Sequence, residues 1–208
     1  HSSGEHARVV QVQPRDDAYL SLGIPQPSIT NNSINSESLP RPKQNLTKLE
    51  ITKMTILRIL KVEEGFRSQP YLCSNGYVTV GYGTKLHKDL GLDPKDFPIN
   101  MPEEAALLLL ESVTKFRTAL MQSEYGEVFK SLDQARQDIL VSMAYQMGTS
   151  GLMKFRKTWR YLELGYFVMA SNEMMDSKWA KQDSPARARR HKEVMLSGKL
   201  LPIYENVL

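Results

Sequence analysis

Apolar residues Leu49, Met54, Ile56, Leu57, Ile59, Leu60 and Val62 return at about 3.6-residue spacing, the period of a helix that buries one face. Thr47 with Glu50 three residues later makes a capping box at its start, and Gly65 stops it directly after Glu64. The period then falls to two. Residues 70–73 and 77–81 read as strands, and Asn75-Gly76 between them is a hairpin signal. Alternation in the second strand puts Tyr77, Thr79 and Gly81 on one face and Val78 with Val80 on the other. Thr79 therefore faces away from the valines, toward the same small space as Cys73 just before the turn.

Beyond the hairpin the pattern is helical. Asn100 reads as a cap, with Pro102 in the first turn and Glu103 and Glu104 near the positive helix end. The predicted helix runs to about residue 121, a length on the order of 30 Å that suits a link between two lobes. Ser131 and Gln134 form a second capping box. Ala135, Ile139, Leu140, Val141, Met143, Ala144 and Met147 make the next helix apolar nearly all round, so it should be the buried centre of a helical lobe. Residues 152–163, 166–175 and 185–196 read as further helices, divided by Gly165 and Ser184-Pro185 and closed by Gly198. The expected class is α+β, mainly α.

Residues 5–46 have a different character. Pro14, Pro25, Pro27, Pro40 and Pro42 interrupt Asn31-Asn32-Ser33, Asn35-Ser36 and Ser38, which is the composition of an extension or linker. Residues 7–13 could make a short strand, and Tyr19-Leu20-Ser21-Leu22 could tuck against the domain. A flexible tether is the simpler reading, and docking to a partner protein or to the chain's own surface is the alternative. His1-Ser2-Ser3-Gly4 resembles the remnant of a histidine-tag linker, so the native sequence is expected to begin near Glu5. Residues 47–208 are expected to form one domain.

Composition narrows the function. At 41% hydrophobic content the 208 residues can bury a sizeable core. The longest apolar runs are far shorter than 18 residues, so no integral membrane segment is expected. One cysteine excludes an internal disulfide. No histidine or cysteine spacing suits a metal, and neither metal nor cofactor is expected. The net charge of +4 favours contact with an anionic surface. The basic residues are scattered and carry no nucleic-acid motif, which argues against nucleic acid as the partner.

Glu64 is the first candidate for chemistry. In the last helical turn, the partly negative helix end and apolar neighbours disfavour an ionised carboxylate, leaving a proton to donate. Glu63 is rotated about 100° around the helix and is expected to meet solvent. Gln146 lies in an otherwise apolar helix. Its amide suits hydrogen bonding to a polar ligand, and stitching two helices together is a nearly equal reading. Trp159 and Trp179 are expected to be core anchors rather than ligand-stacking platforms. Arg189, Arg190, His191 and Lys192 read as a solvated helix face.

Glu64, eight residues, Cys73, five residues, Thr79, then Val-Gly-Tyr-Gly resembles the signature of the T-even phage lysozyme family, muramidases of glycoside hydrolase family 24. Ser131-Leu132-Asp133, then Ala144-Tyr145-Gln146-Met147-Gly148, Ser177-Lys178-Trp179 and Pro185-Ala186-Arg187-Ala188-Arg189-Arg190 continue the likeness in family order. It covers about residues 48–204. The resemblance implies a lysozyme-like two-lobe fold, in which a long helix joins a small β-hairpin N-lobe to a helical C-lobe. It implies endo-hydrolysis of the β-1,4 MurNAc–GlcNAc bonds of peptidoglycan by a monomer. Glu64 would be the general acid, Cys73 and Thr79 would manage the attacking water with inversion, Gln146 would lie in the cleft, and Arg187 would pair with Glu64. A phage endolysin of this kind is made in the host cytoplasm and acts in the periplasm on the cell wall; carriage on the virion is the other setting.

One departure stands out. The family most often has aspartate where this chain has Cys73, and a free thiol titrates near 8.5 against about 3.9 for aspartate. Cys73 could act as a thiolate base or nucleophile, could hold water together with Thr79, could be a small buried hydrophobe, or could mark a silent site. A catalytically silent lysozyme-like peptidoglycan-binding or phage structural component is thus a second reading. An enzyme held inactive by residues 5–46 is a third.

Overall fold

A computed structural model describes residues 54–207. The Thr47–Glu50 capping box and the readings made for residues 5–46 lie outside the described residues. Helix α1 (Thr55–Glu64) buries Ile56, Leu57, Ile59 and Leu60, as its periodicity predicts. It ends at Gly65, whose φ of 67° carries the chain out of the helix while its N–H bonds Lys61 O.

The hairpin follows. Strands β1 (Arg67–Leu72) and β2 (Val78–Gly81) pair antiparallel, with Tyr71 opposite Thr79 and Leu72 opposite Val78. The turn is closed by Cys73 N–H to Tyr77 O at 3.0 Å and Gly76 N–H to Cys73 O at 2.8 Å. A two-residue strand, β3 (Thr84–Lys85), adds to the other edge of β2 and makes a three-stranded sheet in the order β1-β2-β3. Two residues are too few to leave a period in the sequence.

Helix α2 (Glu103–Ser131) differs from expectation at both ends. Pro102 itself occupies the N-cap position, so Asn100 lies outside the helix. The helix runs well past residue 121 through a kink at Tyr125 (φ −123°, ψ 17°). Burial of Met121 and Phe129 on either side of the kink explains the continuation, and Tyr125 stacks on Trp159 with ring centroids 3.5 Å apart.

Asp133, not Ser131, caps α3 (Gln134–Met147): its carboxylate accepts from Arg136 N–H at 3.0 Å. Ser131 instead closes α2 by donating to Val128 O at 2.8 Å. Helix α3 is the centre of the helical part, as expected. It buries residues 138 through 144 without interruption and packs against α1, α2 and the helices that follow. Asp138 and Ser142 are buried with their apolar neighbours.

The predicted helix over 152–163 is two, α4 (Thr149–Met153) and α5 (Arg156–Glu163). The break at Phe155 sets its ring edge-on to Trp179, 6.5 Å between centroids. Helix α6 (Phe167–Met175), a π-turn (Trp179–Asp183), α7 (Pro185–Ser197) and α8 (Pro202–Glu205) complete the chain. Trp159 and Trp179 are buried anchors. The architecture is α+β and mainly α, with the small sheet at the N-terminal side of α2 and the helical part after it. Among the described residues no helix is long and apolar enough to cross a membrane.

Candidate active site

Three elements converge on Glu64. It is the final residue of α1, and its Oε1 accepts from Arg187 Nη1, in the first turn of α7, at 2.7 Å. The two side chains are 19% and 6% exposed. The second oxygen faces the turn between β2 and β3: a Cβ at Gly83 would stand 3.4 Å from Oε2 and 3.8 Å from the Tyr145 hydroxyl oxygen. With φ at 82° this position favours glycine by conformation, while the added Cβ itself would meet the carboxylate in ordinary contact. Tyr145, on α3, donates to the Tyr82 carbonyl and so ties the helix to the sheet. Burial, and then the negative charge of Glu64, push its phenol above the ordinary range.

Cys73 and Thr79 are brought together on the hairpin. Thr79 is buried and donates to Tyr77 O at 3.0 Å, while Cys73 is partly exposed. The slight burial of the thiol raises its pKa. Backbone hydrogen bonds from Tyr77 and Asn75, the Thr79 hydroxyl and the charge of Lys85 outweigh that and hold it below its ordinary value. Tyr71, opposite Thr79 in the register, relates the two candidate groups. Its phenol is raised by burial, lowered by Arg67, and raised again by the charges of both Glu64 and Cys73.

Gln146 performs the stitching role. Its Oε1 accepts from Trp179 Nε1 at 2.8 Å, and its Nε2 donates to Ser184 Oγ at 2.5 Å, which joins α3 to the segment leading into α7. The residue is exposed, and one amide proton and one lone pair are left over from these two bonds.

Glu63 does not meet solvent. Its side chain is 2% exposed and accepts from Arg190 Nε at 2.8 Å and Nη2 at 2.6 Å, with the Tyr204 hydroxyl donating to the same group. Burial raises this carboxyl. The bonds from Arg190 and Tyr204 and the charges of Arg187 and Arg190 overcome that and leave it below the usual carboxylate range. The 100° rotation from Glu64 holds, but α7 and α8 cover the face it points to, which α1's own periodicity cannot reveal. The reading of residues 189–192 as a solvated face is corrected with it. Arg189 is exposed, Arg190 holds Glu63, and His191 is fully buried. Burial, then Arg187 and Arg190, keep His191 neutral.

Sequence reasoning also passed over Ser142, whose carbonyl and hydroxyl each accept from Arg187 Nη2 at 2.9 Å. Tyr145 falls within a family-like motif whose pattern does not disclose its bond to the sheet. The available signal was a polar side chain interrupting an apolar helix, the same signal that singled out Gln146.

A mainly helical chain that presents a helix-terminal carboxylate to a short hairpin is a lysozyme-like α+β protein. Residues 61–193 match the family model described as phage lysozyme, and the chain belongs to that family. It is 27% identical over 197 residues to the pre-baseplate central spike protein Gp5 of Enterobacteria phage T4, covering 86% of this chain and 34% of that one. It is 24% identical over 164 residues to probable T4-type lysozyme 1 of Dictyostelium discoideum, covering 70% of this chain and 96% of that one. For probable T4-type lysozyme 2 of the same organism the figures are 26% over 160 residues, with 68% and 94% covered. The chain thus spans about a third of the spike protein and nearly the whole of the two lysozymes. The spike similarity also takes in more of the chain than residues 54–207 supply.

Proposed function

We propose that the chain is a muramidase that cleaves the β-1,4 MurNAc–GlcNAc bonds of bacterial peptidoglycan, with Glu64 as general acid. The observation that carries this reading is the division of labour within the Glu64 carboxyl: Oε1 is engaged by Arg187 while Oε2 faces the glycine turn. A proton on Oε2 passes to the glycosidic oxygen as the C–O bond breaks, and Arg187 stabilises the carboxylate left behind. The Thr79 hydroxyl lies within reach of both Tyr77 O and the Cys73 thiol, and whichever takes its one proton, its oxygen keeps lone pairs that can accept from a water. Cys73 positions that water with Thr79 or, ionised as a thiolate, takes its proton to become a thiol, as the oxygen attacks the anomeric carbon from the opposite face. Configuration inverts. Gln146 would offer its remaining amide proton to an acetamido or hydroxyl group of the glycan.

The setting we favour is the virion. The spike relative matches beyond the residues that the lysozyme relatives need, which fits residues 5–46 as a tether ahead of a catalytic domain at 47–208. An endolysin released at lysis is the alternative setting. The net charge of +4 suits an anionic wall in either.

A silent lysozyme-like structural component is the second reading, favoured by Cys73 in place of the family's usual aspartate. Release of reducing ends from purified sacculi separates the two. The muramidase reading expects turnover by the parent and a loss of about 10²–10⁴-fold in Glu64→Gln. Parent protein that sediments with sacculi yet releases nothing at any pH would leave the structural reading standing.

A further inference from the structure

Behind Glu64, and not in contact with it, lies a buried histidine that the proposed chemistry does not use. His191 Nε2 is 2.8 Å from Ser142 Oγ, and Nδ1 is 3.5 Å from the Tyr204 hydroxyl and 4.0 Å from Glu63 Oε1. The groups packed around the ring come from five elements: Arg187 and Arg190 on its own helix, Ser142 on α3, Glu63 on α1, Tyr204 on α8, and the Trp179 ring at 6.0 Å.

Donor and acceptor counting fixes the direction of the bonds. A guanidinium only donates, so Ser142 Oγ spends a lone pair on Arg187 Nη2. The serine proton then needs an acceptor, and Nε2 is the one at hydrogen-bond distance. That requires a neutral ring with its proton on Nδ1, directed at Tyr204, whose own proton goes to Glu63, which Arg190 grips with two bonds. In this sense the hydroxyl and imidazole protons between Glu63 and Glu64 all find acceptors, while the Arg187 Nε–H is buried without a partner.

The geometry points to His191 as a positioning residue: its bare Nε2 takes the Ser142 hydroxyl proton, leaving the serine lone pair aimed at Arg187 and the guanidinium held on Glu64 Oε1. A protonated ring would leave the serine proton without its acceptor and would add a third cation beside Arg187 and Arg190. Burial among these groups keeps the ring neutral. The proposal rests on the reading of Glu64 as the acid, since only then does the hold on Arg187 bear on turnover.

The test compares His191→Gln, whose amide can accept from Ser142 and donate to Tyr204, with His191→Leu, which can do neither. We expect His191→Leu to lose about tenfold in kcat, with KM changed less than about twofold, and His191→Gln to recover most of that loss. Ser142→Ala combined with His191→Leu should cost no more than His191→Leu alone. Parent-like kcat in His191→Leu, or a loss that follows melting temperature without rescue by glutamine, would overturn the proposal.

Two readouts stand apart from activity. The imidazole ¹⁵N spectrum should show the neutral tautomer with hydrogen on Nδ1, and the Arg187 guanidinium hydrogens should lose exchange protection in His191→Leu. If the parent turns over no substrate while both hold, the assignment of Glu64 has failed and the positioning role has not. The opposite tautomer, or unchanged Arg187 protection, sinks the positioning role.

Discussion

Arg187 Nη1 donates to Glu64 Oε1 at 2.7 Å, joining the last residue of α1 to the first turn of α7 across 123 positions of chain. The arginine is almost wholly buried and the carboxylate only partly, so the bond is less screened than a surface ion pair and less costly than a fully enclosed one. Arg187→Ala removes this bond and leaves Ser142 O and Oγ without their donor. We expect a loss of about 2 kcal/mol in urea unfolding together with a fall in kcat. Unchanged stability would mean that water replaces the guanidinium freely.

Glu63 has the neighbouring arginine of the same helix. Its carboxyl is held below the usual range, so it binds fewer protons folded than unfolded. Its stabilisation is therefore complete above the ordinary carboxylate range and fades as pH falls through the lowered value. Glu63→Gln keeps the shape and removes the charge from a cluster with Arg190 and Tyr204. The expected cost is about 2–4 kcal/mol at neutral pH, shrinking in acid. Urea unfolding of parent and variant at pH 7 and pH 3 reads the difference.

Cys73 is the position at which the catalytic reading is most exposed to test. A thiol held below its ordinary value gains thiolate as pH rises through that value, so the parent's activity should climb along this limb. Cys73→Asp should remain active and carry the limb to lower pH, because a carboxylate ionises earlier. Cys73→Ser retains a hydrogen-bonding group that does not ionise. Full activity in the serine variant would assign water positioning, and its loss would assign thiolate chemistry. Turbidity clearing across pH makes the measurement.

Asp138 sits inside α3 among apolar side chains, accepting from Gln134 Nε2 at 2.7 Å and from the Thr55 hydroxyl. Burial pushes its carboxyl up to about 6 from 3.8, against the two hydrogen bonds. The folded state therefore binds the extra proton. Its contribution is greatest below the ordinary value and is lost as pH rises toward about 6, an effect of up to about 2–3 kcal/mol. His191 works in the opposite sense, contributing above 6.5 and losing that contribution as pH falls. Asp138→Asn should cancel the first trend only, so the stability difference between variant and parent should grow in the variant's favour from pH 4 to pH 7. Parallel stability curves for the two proteins would contradict it.

Periodicity and turn chemistry were enough to read α1, the hairpin with its Asn75-Gly76 turn, and α3 as the buried centre, because these are local: the face a helix buries and the stop imposed by Gly65 are written within a few residues. The spacing of Glu64, Cys73 and Thr79 was legible for the same reason. The division of residues 152–163 at Phe155 was not, since that ring packs edge-on to Trp179 from another part of the chain. Nor was the extension of α2 past Tyr125, which follows the burial of Phe129. The fate of two adjacent carboxylates shows where local reading ends. Sequence alone placed Glu63 and Glu64 about 100° apart on one helix. Only the packing of α7 and α8 decided that Glu63 is enclosed while Glu64 keeps an oxygen beside the Gly83 turn, because burial belongs to whatever elements arrive from elsewhere.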